Sequence, residues 1–254
     1  MKKIAFLFYI LVFLVAFVGG SFAQEMKPEA GKLYNEGNKM LKAGNYKGAI
    51  DNYDNALKID QDYRIYYQKG IALKKSGNME ESKNAFESVV KLKPDFDGGY
   101  NALGGVYYSM GSYEKAIENF EKVMASSKSN NVKNAVKKNL SLAYAKMGND
   151  ALQNANTSKG VEYLQKAVEN NNYDAAYLSL AKVYSEIGEN DKAIAAGENA
   201  LKYKSSIGKG GPYYYMGVAY KNKGDNGKAK EMFNQAKSDP TYKKLVDYEL
   251  SVLK

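Results

Sequence analysis

Apolar and small residues recur three or four positions apart through most of this chain, the spacing that places them on one face of an α-helix. Tyr100, Gly104 and Tyr107 are an example, because offsets of four and seven residues bring them to the same side. Glycine, which ends a helix in the left-handed conformation at the least cost, interrupts this pattern repeatedly. The pattern therefore predicts pairs of amphipathic helices joined by tight turns at Gly44, Gly77, Gly111, Gly188 and Gly224.

The first helix of each pair, termed helix A, shows two recurring positions. A large residue, usually tyrosine, opens it at Leu33, Tyr66, Tyr100, Tyr144, Tyr177 and Tyr213. A small residue follows four positions later at Gly37, Gly70, Gly104, Gly148, Ala181 and Gly217. This small residue is expected where a neighbouring helix crosses closely.

The second helix, termed helix B, repeats a similar arrangement. Its small residue falls at Ala49, Ser82, Ala116, Gly160, Ala193 and Ala229. Four positions later comes an aromatic residue at Tyr53, Phe86, Phe120 and Phe233, which Leu164 and Gly197 replace in the fourth and fifth pairs. Gly197, and Ala155 in the turn of the fourth pair, depart from the pattern of the other pairs.

Together these positions resemble the tetratricopeptide repeat, a helix–turn–helix unit of about 34 residues. The resemblance implies an all-α fold, a right-handed α-solenoid of about six units in which each unit covers the apolar face of its neighbour. The units are expected at 30–62, 63–96, 97–130, 131–173, 174–209 and 210–240. About ten extra residues, 126–135, are interpreted as a loop and an N-terminal extension of the next helix. Residues 209–212 are interpreted as a glycine-rich link into the sixth unit.

The C-terminal segment 241–254 is predicted to be a capping helix. Leu245, Tyr248 and Val252 lie on one side of it, with Lys243 and Asp247 among the charges elsewhere. We therefore expect the three apolar residues to cover the last unit. Most of the 23 tyrosines of the chain are expected to be packing residues in the core or at its margin.

The N-terminus has the features of a signal peptide. Lys2 and Lys3 precede an apolar run from 4 to 18, and Ser21 and Ala23 fit a small-residue cleavage site. Residues 1–23 are therefore predicted to be removed, with 24–29 as a short linker, and the chain to act in the periplasm or envelope of a Gram-negative-type bacterium. The alternative is an uncleaved anchor, because the run is almost long enough to span a bilayer.

Composition excludes most enzyme classes. The chain contains no cysteine, histidine or tryptophan, which removes thiol nucleophiles, imidazole bases and the usual metal ligands. No catalytic residue, cofactor or metal site is predicted. The net charge is +9, but Arg64 is the only arginine and the lysines alternate with acidic residues. Because nucleic-acid recognition usually depends on arginine, we expect no nucleic-acid partner.

In the family that the chain resembles, the concave groove lined by the A helices binds segments of partner proteins. On that geometry, positions one, five, eight and nine after the opening residue of helix A face the groove. The expected partner-binding residues are Tyr34, Asn38, Tyr67, Ile71, Lys74, Lys75, Asn101, Tyr108, Asn149, Lys182, Tyr214, Lys221 and Asn222. Such a surface of aromatic rings, amides and lysines favours a protein or peptide partner, with some preference for acidic segments.

The resemblance also includes a terminal-carboxylate clamp in some members, but its positions here hold Tyr34, Asn38, Gln68, Gly98 and Ala102, of which only Asn38 fits. The predicted function is therefore a non-enzymatic scaffold or adaptor. An envelope protein that binds cell-wall polymer or another ligand is the alternative, suggested only by exposed tyrosines. An enzyme with an accessory repeat region is disfavoured, because the repeats leave no room for a catalytic domain.

Overall fold

The computed structural model describes residues 25–253, which form thirteen α-helices and no β-strand. This confirms the all-α fold that the sequence predicts. The predicted signal peptide, residues 1–23, lies outside the described residues. Within 25–253 no helix has both the length and the apolar character needed to cross a membrane.

Twelve of these helices form six hairpins, and α13 (Lys243–Val252) follows them. The first helix begins at Pro28, inside the segment that the sequence suggests as a linker; proline suits this position because its ring fixes a helical φ. The hairpins are α1 (Pro28–Lys42) with α2 (Tyr46–Ile59), α3 (Tyr63–Lys75) with α4 (Met79–Leu92), α5 (Asp97–Ser109) with α6 (Tyr113–Ser126), α7 (Asn130–Gln153) with α8 (Thr157–Asn170), α9 (Asp174–Glu186) with α10 (Asn190–Lys202), and α11 (Gly210–Asn222) with α12 (Asn226–Ala236).

The hairpin turns have one recurring geometry. All five glycines predicted at turns adopt a left-handed conformation, with φ between 77° and 89°. After the first of them, Asn45 N donates to Met40 O at 2.9 Å, which satisfies a carbonyl at the end of α1. In the fourth hairpin Ala155 takes the left-handed position with φ 57°, and Asn156 N donates to Ala151 O at 2.8 Å. The alanine therefore preserves the turn.

In five of the six hairpins the small residue of helix A receives the large residue of helix B. A Cβ atom added at Gly104 would lie only 2.6 Å from Phe120 Cε1, so no side chain fits there without displacing the ring. Four further pairs make the same contact: Gly37 with Tyr53, Gly70 with Phe86, Gly148 with Leu164 and Gly217 with Phe233. The five large residues are at most 1% exposed, so these contacts form the centres of their five hairpins.

The fifth hairpin is built differently, because both of its corresponding residues, Ala181 and Gly197, are small. Met216 of the following helix fills the space, and a Cβ at Gly197 would lie 2.5 Å from Met216 Cγ and 3.3 Å from Pro212 O. Helix α11 consequently packs against both α9 and α10. The departure from the sequence pattern at Gly197 thus corresponds to a closer junction between the fifth and sixth units.

The structure corrects the interpretation of residues 209–212. Gly210, Gly211 and Pro212 are buried in the first turn of α11, and the connection is residues 203–209 instead. The other insertion is confirmed: α6 ends at Ser126, a short loop follows, and α7 is extended to 24 residues. Val136 of the extension is fully buried.

The connection 203–209 is held by Asp174, the first residue of α9. Its carboxylate, which is fully buried, accepts hydrogen bonds from the backbone N–H groups of Ser205, Ser206 and Ile207 at 2.6 to 3.1 Å and from Ser206 Oγ at 2.9 Å. Burial opposes ionisation of this carboxyl, but these hydrogen bonds outweigh it and hold the pKa of Asp174 well below its usual value.

The predicted orientation of the capping helix is wrong. Leu245, Tyr248 and Val252 are 47%, 64% and 44% exposed. Val246 is fully buried instead, and Leu250 packs with it against the core of α12. A second apolar stripe one residue along the helix therefore forms the contact, because the segment carries apolar residues on two sides.

Candidate peptide-binding face

The A helices of units two to five line two pockets, and five of the predicted groove residues lie in them. Lys74, Asn101 and Tyr108 line a pocket of about 320 Å³ between α3, α5 and α7, termed the central pocket. Asn149 and Lys182 line a pocket of about 560 Å³ between α7 and α9, termed the distal pocket. The A-helix face is therefore the candidate binding surface.

The central pocket presents hydrogen-bond donors, and no carboxylate lines it. Asn139 of α7 donates its Nδ2 to Asn101 Oδ1 of α5 at 3.1 Å. This bond uses the carbonyl of Asn101 and leaves its amide hydrogens without an acceptor among residues 25–253. Tyr108 lies on the same helix, and burial raises the pKa of its hydroxyl, as does nearby Tyr113 to a smaller extent. Its hydroxyl is therefore a neutral donor at physiological pH.

Lys74 extends from α3 towards α5. A Cβ atom added at Gly105 would lie 3.2 Å from Lys74 Nζ, so the missing side chain at Gly105 makes room for the ammonium. No carboxylate of residues 25–253 lies within 4.0 Å of it. Burial lowers the pKa of Lys74, because desolvation disfavours its charged form. The pocket thus contains a half-buried cation without a counter-ion.

The distal pocket is mixed in character. Leu152, Val183 and Ile187 provide apolar surface, and Ile187 is 48% exposed. Charges of both signs surround them, including Lys182 Nζ at 4.0 Å from Glu186 Oε1. This composition suits a peptide segment that carries both an apolar and a polar side chain.

Four predicted groove residues of the first two units contribute to packing instead of lining either pocket. The Tyr34 ring lies 6.2 Å from that of Tyr53, whose hydroxyl donates to Asn38 Oδ1 at 2.8 Å. Tyr67 meets Phe86 and Phe96 edge to face at 5.7 and 5.2 Å, and Ile71 packs against the same cluster. Substituting Tyr34 or Tyr67 would therefore disturb the core as well as the surface. Lys75, the next residue after Lys74, is exposed.

The predicted groove residues of the sixth unit are held by contacts within the chain. The Tyr214 ring lies 5.4 Å from that of Tyr242, which precedes α13. Lys221 Nζ lies 2.5 Å from Glu249 Oε2 of α13. Asn222 Nδ2 donates to Ser185 O at 3.4 Å. The A-helix face of unit six is thus partly occupied by the C-terminal segment.

Several pocket residues were absent from the sequence prediction. Ala102, Lys146 and Ser179 all stand two positions after the opening residue of helix A, a position that enters the sequence analysis only through the clamp and not among the expected groove residues. Including that position would have identified these three residues. On a helix, the second residue after the opening residue lies on the same face as the fifth and ninth, which the prediction does include. Asn139 is different, since it precedes the opening residue Tyr144 and reaches the pocket only through the extension of α7.

The described residues contain no cluster of three or more acidic, histidine or cysteine side chains that could hold a metal ion. Comparison with known families decides what the chain is. The model of the N-terminal TPR repeats region of Psidin matches residues 38–173, more than half of the chain. The chain belongs to the tetratricopeptide repeat family. Two further tetratricopeptide repeat models match residues 145–208 and 212–238.

Curated tetratricopeptide relatives match parts of longer proteins. The small glutamine-rich tetratricopeptide repeat-containing protein 2 of Mycosarcoma maydis is 28% identical over 129 residues, 50% of this chain and 36% of that protein. The Hsp70-Hsp90 organizing protein of Triticum aestivum is 34% identical over 87 residues, 34% of this chain and 15% of that protein. DnaJ homolog subfamily C member 3 of Mus musculus is 26% identical over 197 residues, 75% and 39% respectively. This chain therefore spans less than two fifths of each relative.

Solved tetratricopeptide structures share the fold. The crystal structure of MamA is 26% identical, with a TM-score of 0.50 over 71% of this chain and 93% of MamA. YrrB, a TPR protein with an unusual peptide-binding site, is 20% identical, with a TM-score of 0.52 over 79% and 98%. PilF of Pseudomonas aeruginosa is 16% identical, with a TM-score of 0.52 over 89% and 97%. The last two likenesses support the solenoid fold alone.

Proposed function

We propose that this chain is a non-enzymatic scaffold of the cell envelope that holds segments of partner proteins along its A-helix face. In the solenoid geometry of the family this face is the concave groove.

One observation carries the binding proposal. The A helices of four consecutive units open two adjacent pockets on one face, and α7 contributes to both. An extended peptide spans about 3.3 Å per residue, so a segment of several residues would place side chains in both pockets. The tetratricopeptide relatives support this proposal, since they include an Hsp70-Hsp90 organizing protein.

The alternative of a wall-polymer binder receives less support. It depended on exposed tyrosines, but among the described tyrosines only Tyr248 is exposed. The other described tyrosines are buried or half-buried, as expected for packing residues. No row of exposed rings remains to stack on sugars.

Photocrosslinking tests the proposed surface. The photoreactive residue p-benzoylphenylalanine replaces Asn149 or Lys182 in the distal pocket, or Glu198, an exposed residue of α10 outside both pockets. In cells that naturally contain the chain, the first two positions should form an adduct with the same partner segment, identified by mass spectrometry. Glu198 should form no such adduct. Equal labelling from all three positions would reject the A-helix face as the binding surface.

Export is a separate part of the proposal. The apolar run after Lys3 and the small residues Ser21 and Ala23 support it. N-terminal sequencing of the chain from an envelope fraction should begin at Gln24. Recovery of an intact Met1 from the membrane fraction would favour a retained anchor, and recovery from the cytosol would reject export.

A further inference from the structure

The central pocket brings unpaired donors from two A helices into one place. Lys74 Nζ comes from α3, and Asn101 Nδ2 and the Tyr108 hydroxyl come from α5. None of the three has an acceptor among residues 25–253. Every fully buried side-chain nitrogen or oxygen of these residues has a hydrogen-bond partner. The three unpartnered donors are therefore accessible to a ligand. The Tyr108 ring is fixed by Tyr113, with ring centroids 5.5 Å apart.

The state of Lys74 differs from that of comparable lysines. Lys69 and Lys221 are also half-buried on A helices, and each places its Nζ 2.5 Å from a carboxylate, of Asp54 and Glu249 respectively. These partners compensate for lost hydration. The ammonium of Lys74 loses hydration without such compensation, so a ligand that brings a carboxylate would gain both a charge pair and two further hydrogen-bond donors.

We infer that the central pocket is a receptor for a carboxylate of an acidic peptide segment, with Lys74 as its counter-ion and Asn101 and Tyr108 as additional donors. This inference rests on the proposed function, because the peptide would lie along the same face. Lys74, Asn101 and Tyr108 stand at other positions than the terminal-carboxylate clamp of the family. Of the residues that form that clamp, this chain has only Asn38. The volume of about 320 Å³ accommodates one side chain with its adjoining backbone.

Nuclear magnetic resonance can test the receptor with small probes. The ¹⁵N-labelled full chain is titrated with N-acetyl-glutamate N-methylamide, with the neutral glutamine analogue, and with N-acetyl-glutamine bearing a free α-carboxylate. The signals to follow are the Gly105 amide and the side-chain amides of Asn101 and Asn139. The glutamate probe should shift them saturably and bind at least about tenfold more tightly than the neutral analogue. Equally tight binding of the third probe would also support a carboxylate receptor, one that accepts a chain terminus.

Two variants and a control test whether the ammonium group of Lys74 contributes to binding of the glutamate probe. Lys74→Met keeps most of the side-chain length but removes the charge, and should weaken glutamate binding by about tenfold or more. Gly105→Ala should weaken it too, because the new methyl group would lie 3.2 Å from Nζ and displace the ammonium. Lys91→Met, which changes an exposed lysine of α4 outside both pockets, should leave binding unchanged. Thermal unfolding of each variant verifies that the fold is intact.

Two results would overturn the inference. One is equal binding of the glutamate probe and its neutral analogue, and the other is unchanged binding by Lys74→Met. In either case adducts from Asn149 and Lys182 would show that the face still binds a partner, so failure of the carboxylate receptor is distinguishable from failure of the proposed function.

Discussion

Asp174 shows how one buried carboxylate can order a connection between repeats. Four hydrogen bonds from residues 205–207 converge on it, whereas Asp97, the first residue of α5, accepts a single bond of this kind, from Ser126 Oγ at 2.7 Å. The sequence did not indicate this role. An aspartate in the first turn of a helix is ordinarily explained by the helix dipole, and nothing local reveals a partner thirty residues later.

Replacing this carboxylate tests its contribution. Asp174→Asn retains the shape but removes the charge and one acceptor, so we expect a loss of about 2 kcal/mol in the free energy of unfolding measured with urea. Asp51→Asn changes an exposed carboxylate that makes no side-chain hydrogen bond or ion pair within residues 25–253, so this matched control should change little. Equal stability of both variants would show that the connection does not depend on Asp174.

The same residue predicts a pH dependence. Because the folded-state pKa of Asp174 lies below its unfolded value, the carboxylate stabilises the fold at pH above the unfolded pKa. That contribution declines as the pH falls towards the folded-state pKa. The difference in stability between the wild-type chain and Asp174→Asn should therefore shrink between about pH 5 and pH 3. A difference that stays constant over this range would contradict the assignment.

At the scale of the helix hairpin, two adjacent glycines have opposite roles. Gly104 faces Phe120, where an added Cβ would approach Cε1 to 2.6 Å, and Gly105 faces only the flexible end of Lys74. Gly104→Ala should therefore cost about 1–3 kcal/mol through overpacking. Gly105→Ala should stabilise by about 0.5–1 kcal/mol, because alanine is the better helix former. Thermal unfolding of both variants provides the comparison, and equal changes in melting temperature would contradict the hairpin packing described above.

The hairpins were predictable because their signals are local and repeated. The turn glycines, the small residue of helix A and the large residue of helix B recur at fixed offsets, so each position is supported by at least four others. Helix α13 occurs once, and it carries two apolar stripes, one through Leu245 and Tyr248 and one through Val246 and Leu250. Periodicity alone cannot choose between two such stripes, because only the shape of the α12 surface decides which one is buried.

At the scale of the whole molecule, the junction between units five and six departs from the regular repeat. Met216 occupies the space that a large helix-B residue fills in the other hairpins. Restoring an aromatic residue by Gly197→Phe should therefore destabilise the chain by more than about 3 kcal/mol instead of improving it. Adding Met216→Ala should recover part of that loss, which a double-mutant cycle of urea unfolding would measure. Strict additivity of the two changes would show that these residues do not share one space.

A solenoid in which each unit contacts mainly its neighbours should also lose stability locally. The buried residues of 25–253 form five core clusters, and the one around Phe233 and Val246 contains only residues of α11 to α13, Tyr242 of the connection and Leu253. Val246→Ala should remove about 2 kcal/mol from this end of the molecule. In hydrogen exchange we expect faster exchange in α11–α13 and unchanged protection in α1–α4, because the change is distant from the first units.

Leu245→Ala is the control for this experiment, since it shortens the neighbouring apolar residue on the exposed side of the same helix. Little effect there would separate the buried stripe of α13 from the exposed one by measurement. Faster exchange throughout the chain after Val246→Ala would instead mean that the solenoid unfolds as one cooperative unit. A peptide bound at the central pocket would in that case be sensitive to the distant C-terminal helix, whereas local unfolding leaves units two to four able to bind while the end opens.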